Sequence, residues 1–456
     1  MKALTSFSLI ASLSIALIAL SCGTESESVF PDNVDSGSDD SDVPPPLFGD
    51  ASKPCLNLEC KQIHDCESGA KTTLSGTVYD PAGKVPLYNA VVYIPNAPID
   101  PIQNGASCDR CGKVSGSPLV STLTGPDGKF TLEDVPAGDS IPLVVQIGKW
   151  RRQINVSVPA CAVTQVKDGD VRLPRNKSEG DMPQMAIATG NADPFECLLV
   201  KMGVDLAEFT NDSGNGKVHY YRENGIDTNP PSPAASTLYS NAQKMKKYDI
   251  IFLPCEGMEH DRPDPIDQNL VDYTSAGGRV FTTHYGYSWV YQGINPFPTT
   301  GQWQPEQTDK YSTVLPTTIN QSFPKGAAFA QWLVNVGASS TLGSMDIHEG
   351  RHDLNKGNDP PSTTWMTTSQ MPSPNVNATM HITFNTPIGV PEANQCGKVV
   401  YSDFHVSASA LTAVSTFPQS CKTGDLSAQE KALEFMLFDL SSCIQDDKTA
   451  PASPIN

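Results

Sequence analysis

Four short polar groups carry residue types suited to acid–base, nucleophilic or metal chemistry: Cys255-Glu256, His284-Tyr285, Asp403-Phe404-His405 and the segment Asp346 to Asp353. Imidazole titrates near neutrality and binds metals as a neutral ring, while carboxylates and thiols supply bases, ligands and nucleophiles. The expected ligand-binding residues are therefore Cys255, Glu256, His284, Tyr285, Asp403 and His405, with His284, His405 and Glu256 the candidates for acid–base catalysis. Each histidine also has a plainer reading, as a buried ring whose hydrogen bonds are satisfied. His348 and His352 stand four apart among three carboxylates, and on a helix they would share a face and hold zinc. Gly350 weakens such a helix and the His-Glu-x-x-His order is absent, so a hydrogen-bonded polar loop is the stronger reading. Ser402 beside His405 makes no triad, because no Gly-x-Ser-x-Gly elbow occurs in the chain. No cofactor is expected.

These groups follow apolar runs that must position them. From about Gly180 onward, short β-rich runs alternate with helical ones. MPQMAIATG, YDIIFLPCEG, RVFTTHYGY and GKVVYSDFHVS read as strands; PFECLLVKMG, ASTLYSNAQKMKKY, DQNLVDYTSAGG and AQEKALEFMLFDLSSC read as helices. Runs too continuous for one-sided burial, interleaved with helices, predict a flavodoxin-like α/β domain over 180–445 with a parallel sheet covered on both faces. In such sheets ligands gather at the C-terminal ends of the strands. The stretch from Tyr248 to Tyr285, with Ala276-Gly277-Gly278 between helix and strand, resembles the class I glutamine amidotransferase-like fold, and especially its ThuA-like branch. That resemblance places His284, in Thr282-Thr283-His284-Tyr285-Gly286, on the turn where the amidotransferase nucleophile stands. Cys255 lies one strand too early to replace it, so the resemblance implies a fold without glutamine hydrolysis.

Ahead of this domain, 55–173 reads as a Cys-rich opening plus an antiparallel β-sandwich. TLSGTVYDPAG, NAVVYIPN, LVSTLTGPDGKFTLEDVPAG and IPLVVQIGKWRRQINVSV alternate apolar and polar residues between Gly, Pro and Asp turns. Ser75 to Asp80, Asn89 to Tyr93 and Thr124 to Val135 resemble the carboxypeptidase regulatory-like family, which implies a fold but no particular function. Cys108-Asp109-Arg110-Cys111 has redox, metal and structural readings. No helix precedes it to activate a thiol and no second ligand pair accompanies it, so structural bridges are preferred. The whole chain resembles a family of bacterial lipoproteins that combine these two modules and have no assigned reaction.

The N-terminus predicts export. Lys2, an apolar run to Leu20 and the exit Ala19-Leu20-Ser21-Cys22 describe a signal peptide over 1–22 with lipidation at Cys22, although Ala19 stands where such signals prefer Leu. Residues 23–54, acidic and rich in Ser and Pro, predict a disordered tether, and 446–456 a disordered tail. Twelve cysteines suit an oxidising exterior. Cys55, Cys60, Cys66, Cys108, Cys111, Cys161, Cys396, Cys421 and Cys443 are the disulfide candidates, and removing Cys22 leaves an odd thiol. A net charge of −19 excludes nucleic acid as a partner and electrostatic docking on anionic lipid. The partners expected are the membrane, through the lipid anchor, and a glycan or envelope protein. Two functions follow. The first is a cell-envelope lipoprotein with a binding or scaffold role, outside or on the outer membrane, that takes carbohydrate. The alternative is an extracytoplasmic hydrolase acting on carbohydrate-derived material through His284 and His405. The absent nucleophile favours the first.

Overall fold

The computed structural model describes residues 55–190, 192–224, 231–305, 314–371, 377–406, 417, 421 and 424–454. The signal segment, Cys22 and the tether lie outside them. Cys55 to Asn456 forms one compact unit, so the two sheet systems share contacts.

The first system holds β1 (Thr73–Thr77), β2 (Val91–Pro95), β3 (Pro118–Leu123), β4 (Lys129–Leu132), β5 (Gly138–Ile147), β6 (Trp150–Val158) and β7 (Val163–Gln165). They form a three-stranded sheet in the order β4-β1-β7 and a four-stranded sheet in the order β3-β2-β5-β6. Leu74, Phe130 and Leu132 from one sheet and Val92, Ile94, Leu143 and Val145 from the other belong to one apolar cluster. β1 and β7 run parallel, so the sandwich is not antiparallel throughout.

The second system holds β8 (Met185–Ala188), β9 (Phe209–Thr210), β10 (Val218–Tyr221), β11 (Ile250–Leu253), β12 (Arg279–Thr283), β13 (Gly301–Trp303), β14 (Leu315–Ile319), β15 (Ser344–Ile347), β16 (Leu354–Gly357), β17 (Ser362–Thr368), β18 (Ala378–Thr386) and β19 (Gly397–Ser402). Ten of them make one sheet, ordered β15-β14-β17-β18-β19-β12-β11-β8-β10-β9. The half from β19 to β9 is parallel, as expected. The half from β15 to β19 is antiparallel, which corrects the expectation of a parallel sheet. β14 alternates buried and exposed residues, the pattern of a strand with one solvated face.

Helices cover the parallel half where the sequence anticipates them. Asp264–Ser275 begins with a proline in its first turn and stops at Gly277, whose φ of +104° suits glycine alone. Ala428–Ser441 opens on a reciprocal cap between Ser427 and Glu430. This last helix is buried along almost its whole length, because sandwich and sheet both pack on it. Tyr88 stacks on Phe435 at 5.8 Å and Trp150 meets Phe438 edge-on at 6.1 Å. Residues 446–454, expected to be disordered, instead lie against the body. Asp447 is buried, and Ser121 Oγ donates to Pro454 O at 3.1 Å.

Candidate functional site

Parallel pairing brings the ends of adjacent strands together. Leu253 is in register with Thr282, and Thr283 with Ser402, so the residues following β11, β12 and β19 emerge side by side. There Cys255, His284 and His405 meet, with one possible ligand atom from each within 4.8 Å of the others. Their relative exposures are 0, 5 and 7 %. Cys255 Sγ lies 3.2 Å from His284 Nδ1, and the two imidazole centroids are 3.8 Å apart. Cys255, expected among the ligand-binding residues but one strand too early to stand on the nucleophile turn, thus lies beside that turn. It is early in sequence, yet strand pairing places its sulfur against the turn residue.

Glycines and one carboxylate fix this geometry. A Cβ on Gly286 would fall 2.0 Å from Thr282 Oγ1, and one on Gly190 would fall 2.4 Å from the Cys255 carbonyl oxygen, so only glycine lets these backbones pass. His284 itself has φ +48°, a left-handed conformation at the start of a single 3₁₀ turn. Asp193, fully buried after β8, accepts the Val406 N–H at 2.7 Å on one oxygen and the Thr283 hydroxyl on the other. Thr283 Oγ1 in turn accepts the Cys255 N–H at 3.1 Å. One buried acid thus ties the backbone beside all three cluster residues. Tyr401 Oη completes the frame by donating to the His284 carbonyl at 3.2 Å.

The two rings are not equivalent. Burial, with His405 and Arg351 nearby, pushes His284 well below the usual histidine range, so it is neutral. Burial also disfavours charge on His405, but the Cys255 sulfur and the Glu349 carboxylate outweigh it and lift the ring to about 10. Glu349 Oε2 is 3.6 Å from His405 Nδ1. Neither ring nitrogen of His405 has a hydrogen bond of ordinary geometry.

The other expected residues have different surroundings. Glu256 is paired with Arg262 and accepts from Asn224 at 2.6 Å, so its carboxylate is engaged beside the cluster. Tyr285 is half-buried under the Arg351 guanidinium, 4.0 Å from the ring centroid. Tyr287 and Trp289, neighbours suited to stacking on a sugar, are buried, and Trp289 carries Arg262 at 3.7 Å. Asp403 is fully buried; desolvation and the adjacent Asp353 hold its carboxyl well above the usual range. His348 and His352 do not share a helix face. β15 ends at Ile347 in a bend, His348 is exposed, and His352 is buried with Nε2 2.8 Å from Asn355 Oδ1. A crevice of 720 Å³ lined by Asp346, His348, Val406 and Gln429 opens on the backbone side of His405, and none of the three cluster side chains lines it. Gln429 Nε2 donates to the His405 carbonyl across that boundary. Asp193 and Thr283 were not anticipated as site residues, and Glu349 only as one of the three carboxylates between Asp346 and Asp353. Asp193 was findable by the rule that singled out the others, since it too follows a predicted parallel strand.

Ten cysteines pair as Cys55–Cys60, Cys66–Cys161, Cys108–Cys396, Cys111–Cys443 and Cys197–Cys421. Cys197, in the predicted helix PFECLLVKMG, was not among the candidates. Among the described residues Cys255 is the free thiol. The five bridges point to an extracytoplasmic protein. No helix among the described residues is long and apolar enough to cross a membrane.

No family model matches the chain. Colossin-A of Dictyostelium discoideum is 28% identical over 220 residues, 41% of this chain and 2% of that protein, so the chain spans about one-fiftieth of this curated relative. Solved structures with a partial likeness include a ThuA-like protein of Parabacteroides merdae, 10% identical with a TM-score of 0.30, over 59% of this chain and 93% of that one. A ThuA-like protein of Bacteroides uniformis is 9% identical with a TM-score of 0.28, over 50% and 82%.

Proposed function

We propose that this is a cell-envelope lipoprotein with a binding role, anchored through Cys22, whose ligand site is the strand-end cluster of the α/β body and the crevice beside it. The observation that carries the reading is the convergence of Cys255, His284 and His405 from three parallel strands, next to a 720 Å³ crevice. A crevice of that size falls in the range of small-molecule sites, roughly 300–1,000 Å³, and suits one or two sugar units. Ser340, Asp346 and His348 on its walls offer polar contacts to hydroxyls. The sandwich, which resembles a carboxypeptidase regulatory-like module, serves as the support on which the last helix packs. Five disulfides agree with an exterior address.

The test has two arms. Cys22→Ala moves the exported protein from the detergent phase to the soluble phase; unchanged partitioning would remove the anchor. His284→Ala combined with His405→Ala abolishes glycan-array binding while stability changes by about 2 kcal/mol or less. Glycan binding that survives this pair puts the ligand site elsewhere on the molecule.

One contact favours a second reading, that of an extracytoplasmic hydrolase acting on carbohydrate-derived esters. The Cys255 thiol 3.2 Å from an imidazole has the components of nucleophilic catalysis. Burst release from an activated sugar ester, lost in Cys255→Ser, supports it; no burst from the wild type removes it.

A further inference from the structure

We propose that Cys255 Sγ, His284 and His405 are the protein ligands of a zinc-class metal ion bound at the C-terminal edge of the parallel sheet. The inference rests on reading the strand-end cluster as a binding site, but it requires no glycan.

One sulfur and two imidazoles form a donor set that suits borderline-soft ions such as Zn(II). Zinc–sulfur and zinc–nitrogen bonds of about 2.3 and 2.0–2.1 Å at tetrahedral angles separate ligand atoms by roughly 3.5 Å. The three donors already lie within 4.8 Å of one another, and the sulfur and His284 Nδ1 at 3.2 Å. Small rotations of the side chains bring them to bonding distance. Three protein ligands leave a fourth position for water or an exogenous group, the pattern of metal centres that act on a ligand.

Two further observations point to an ion. His405 is buried, and beyond the approach of Glu349 neither of its ring nitrogens has a hydrogen bond of ordinary geometry, which leaves a coordination position on the ring unfilled. Its Nδ1 faces Glu349 Oε2 at 3.6 Å, which leaves Nε2 for a metal in the familiar carboxylate–histidine–metal relation. The sulfur, meanwhile, accepts the Gly257 N–H at 3.4 Å, a contact that stabilises the charge a metal-bound thiolate carries. The Asp193–Thr283 relay holds the backbone of all three ligand residues, so the set is organised before any ion arrives. Binding displaces the thiol proton and the second ring proton of His405 to solvent, where buffer takes both up, and involves no change of oxidation state.

The test uses the purified full chain with its disulfides intact, stripped with a chelator and titrated with Zn(II) and, separately, Co(II). The wild type binds one ion per chain, and Co(II) produces a thiolate-to-cobalt charge-transfer band in the near ultraviolet. Cys255→Ser abolishes that band, and Cys255→Ser and His405→Ala each weaken zinc by about 100-fold or more, while Glu349→Gln weakens it by about tenfold. A wild type that binds no more metal than Cys255→Ser overturns the assignment, as does a cobalt band that survives the substitution. Should the variants not fold, alkylation of Cys255 in the wild type decides. Zinc must slow it and a chelator must restore it, and a rate indifferent to zinc overturns the proposal. Tight Cu(I) binding without any response to zinc also overturns it. Zinc binding with an empty glycan array removes only the sugar reading; glycan binding without zinc removes only the metal.

Discussion

A histidine held at φ +48° occupies a conformation that L-residues enter at a cost of roughly 1–2 kcal/mol and that glycine adopts freely. In His284 this cost falls on a residue whose ring is buried against Cys255 and His405, a combination that fold stability alone does not require. In metal-free protein His284→Gly is therefore expected to be more stable than His284→Ala by about 1 kcal/mol, since both lose the ring and only alanine keeps the strain. Urea denaturation of the two variants side by side measures it. Equal stability, or a more stable alanine variant, would show that the turn is not strained. Part of this was legible in sequence: the motif Thr-Thr-His-Tyr-Gly marks a sharp turn after a buried strand. The contact with Cys255 was not, because it depends on which strand lies next to which.

At the scale of the element, the helix Phe195–Lys201 carries a second unusual acid. Both carboxylate oxygens of Glu196 are buried without a hydrogen bond, and burial pushes the group up to about 8. Its folded value exceeds its unfolded value of about 4.5, so the folded protein holds this proton more tightly. The contribution to stability is complete below about pH 4.5 and is lost as pH rises through about 8. Glu196→Gln is expected to flatten the fall in melting temperature between pH 5 and 8 and to raise it at pH 8, worth a few kcal/mol at most. An unchanged pH profile would show that Glu196 does not titrate there. The helix itself was readable from PFECLLVKMG, but neither the docking of Phe195 against Phe252 and Phe281 nor the burial of Glu196 was. The antiparallel strands β14, β15, β17 and β18 were missed for a related reason. Their Thr-rich alternation lies among loops and prolines and resembles a long irregular connection until they pair.

Across the molecule, one device joins sandwich and α/β body beyond their common apolar core, and a second closes the α/β body on its own C-terminal segment. Cys108–Cys396 and Cys111–Cys443 close loops of 288 and 332 residues, so the CxxC motif is neither a redox pair nor a local clip. With Cys108–Cys396 in place, Cys111–Cys443 closes an effective loop of about 50 residues, and because closure entropy grows with loop length, Cys111→Ala with Cys443→Ala is expected to cost about 2–4 kcal/mol and more than Cys55→Ala with Cys60→Ala, whose loop spans 5 residues. Urea midpoints of the two double variants compare them, and a larger loss from the short loop would contradict the entropic account. The second device is a closed set of buried charges. Lys325 pairs with Asp439 at 2.8 Å and with Asp447 at 3.2 Å, and Lys398 pairs with Asp439 at 2.6 Å and also with Asp447. It ties two helices, β19 and the C-terminal segment together, which is why that segment is not a free tail.

By itself the sequence determined local matters: the strands of the parallel half and the helices beside them, that the chain belongs in an oxidising compartment, and which polar residues follow those strand ends. These follow from periodicity, glycine and proline placement and cysteine number, all of which act over a few neighbours. Only the tertiary structure decided that Cys255, His284 and His405 share one point, that Glu256 is spent on Arg262, and that the CxxC cysteines reach into the other body. Those outcomes depend on strand order and on the packing of residues up to 332 positions apart, and no spacing along the chain encodes such a distance.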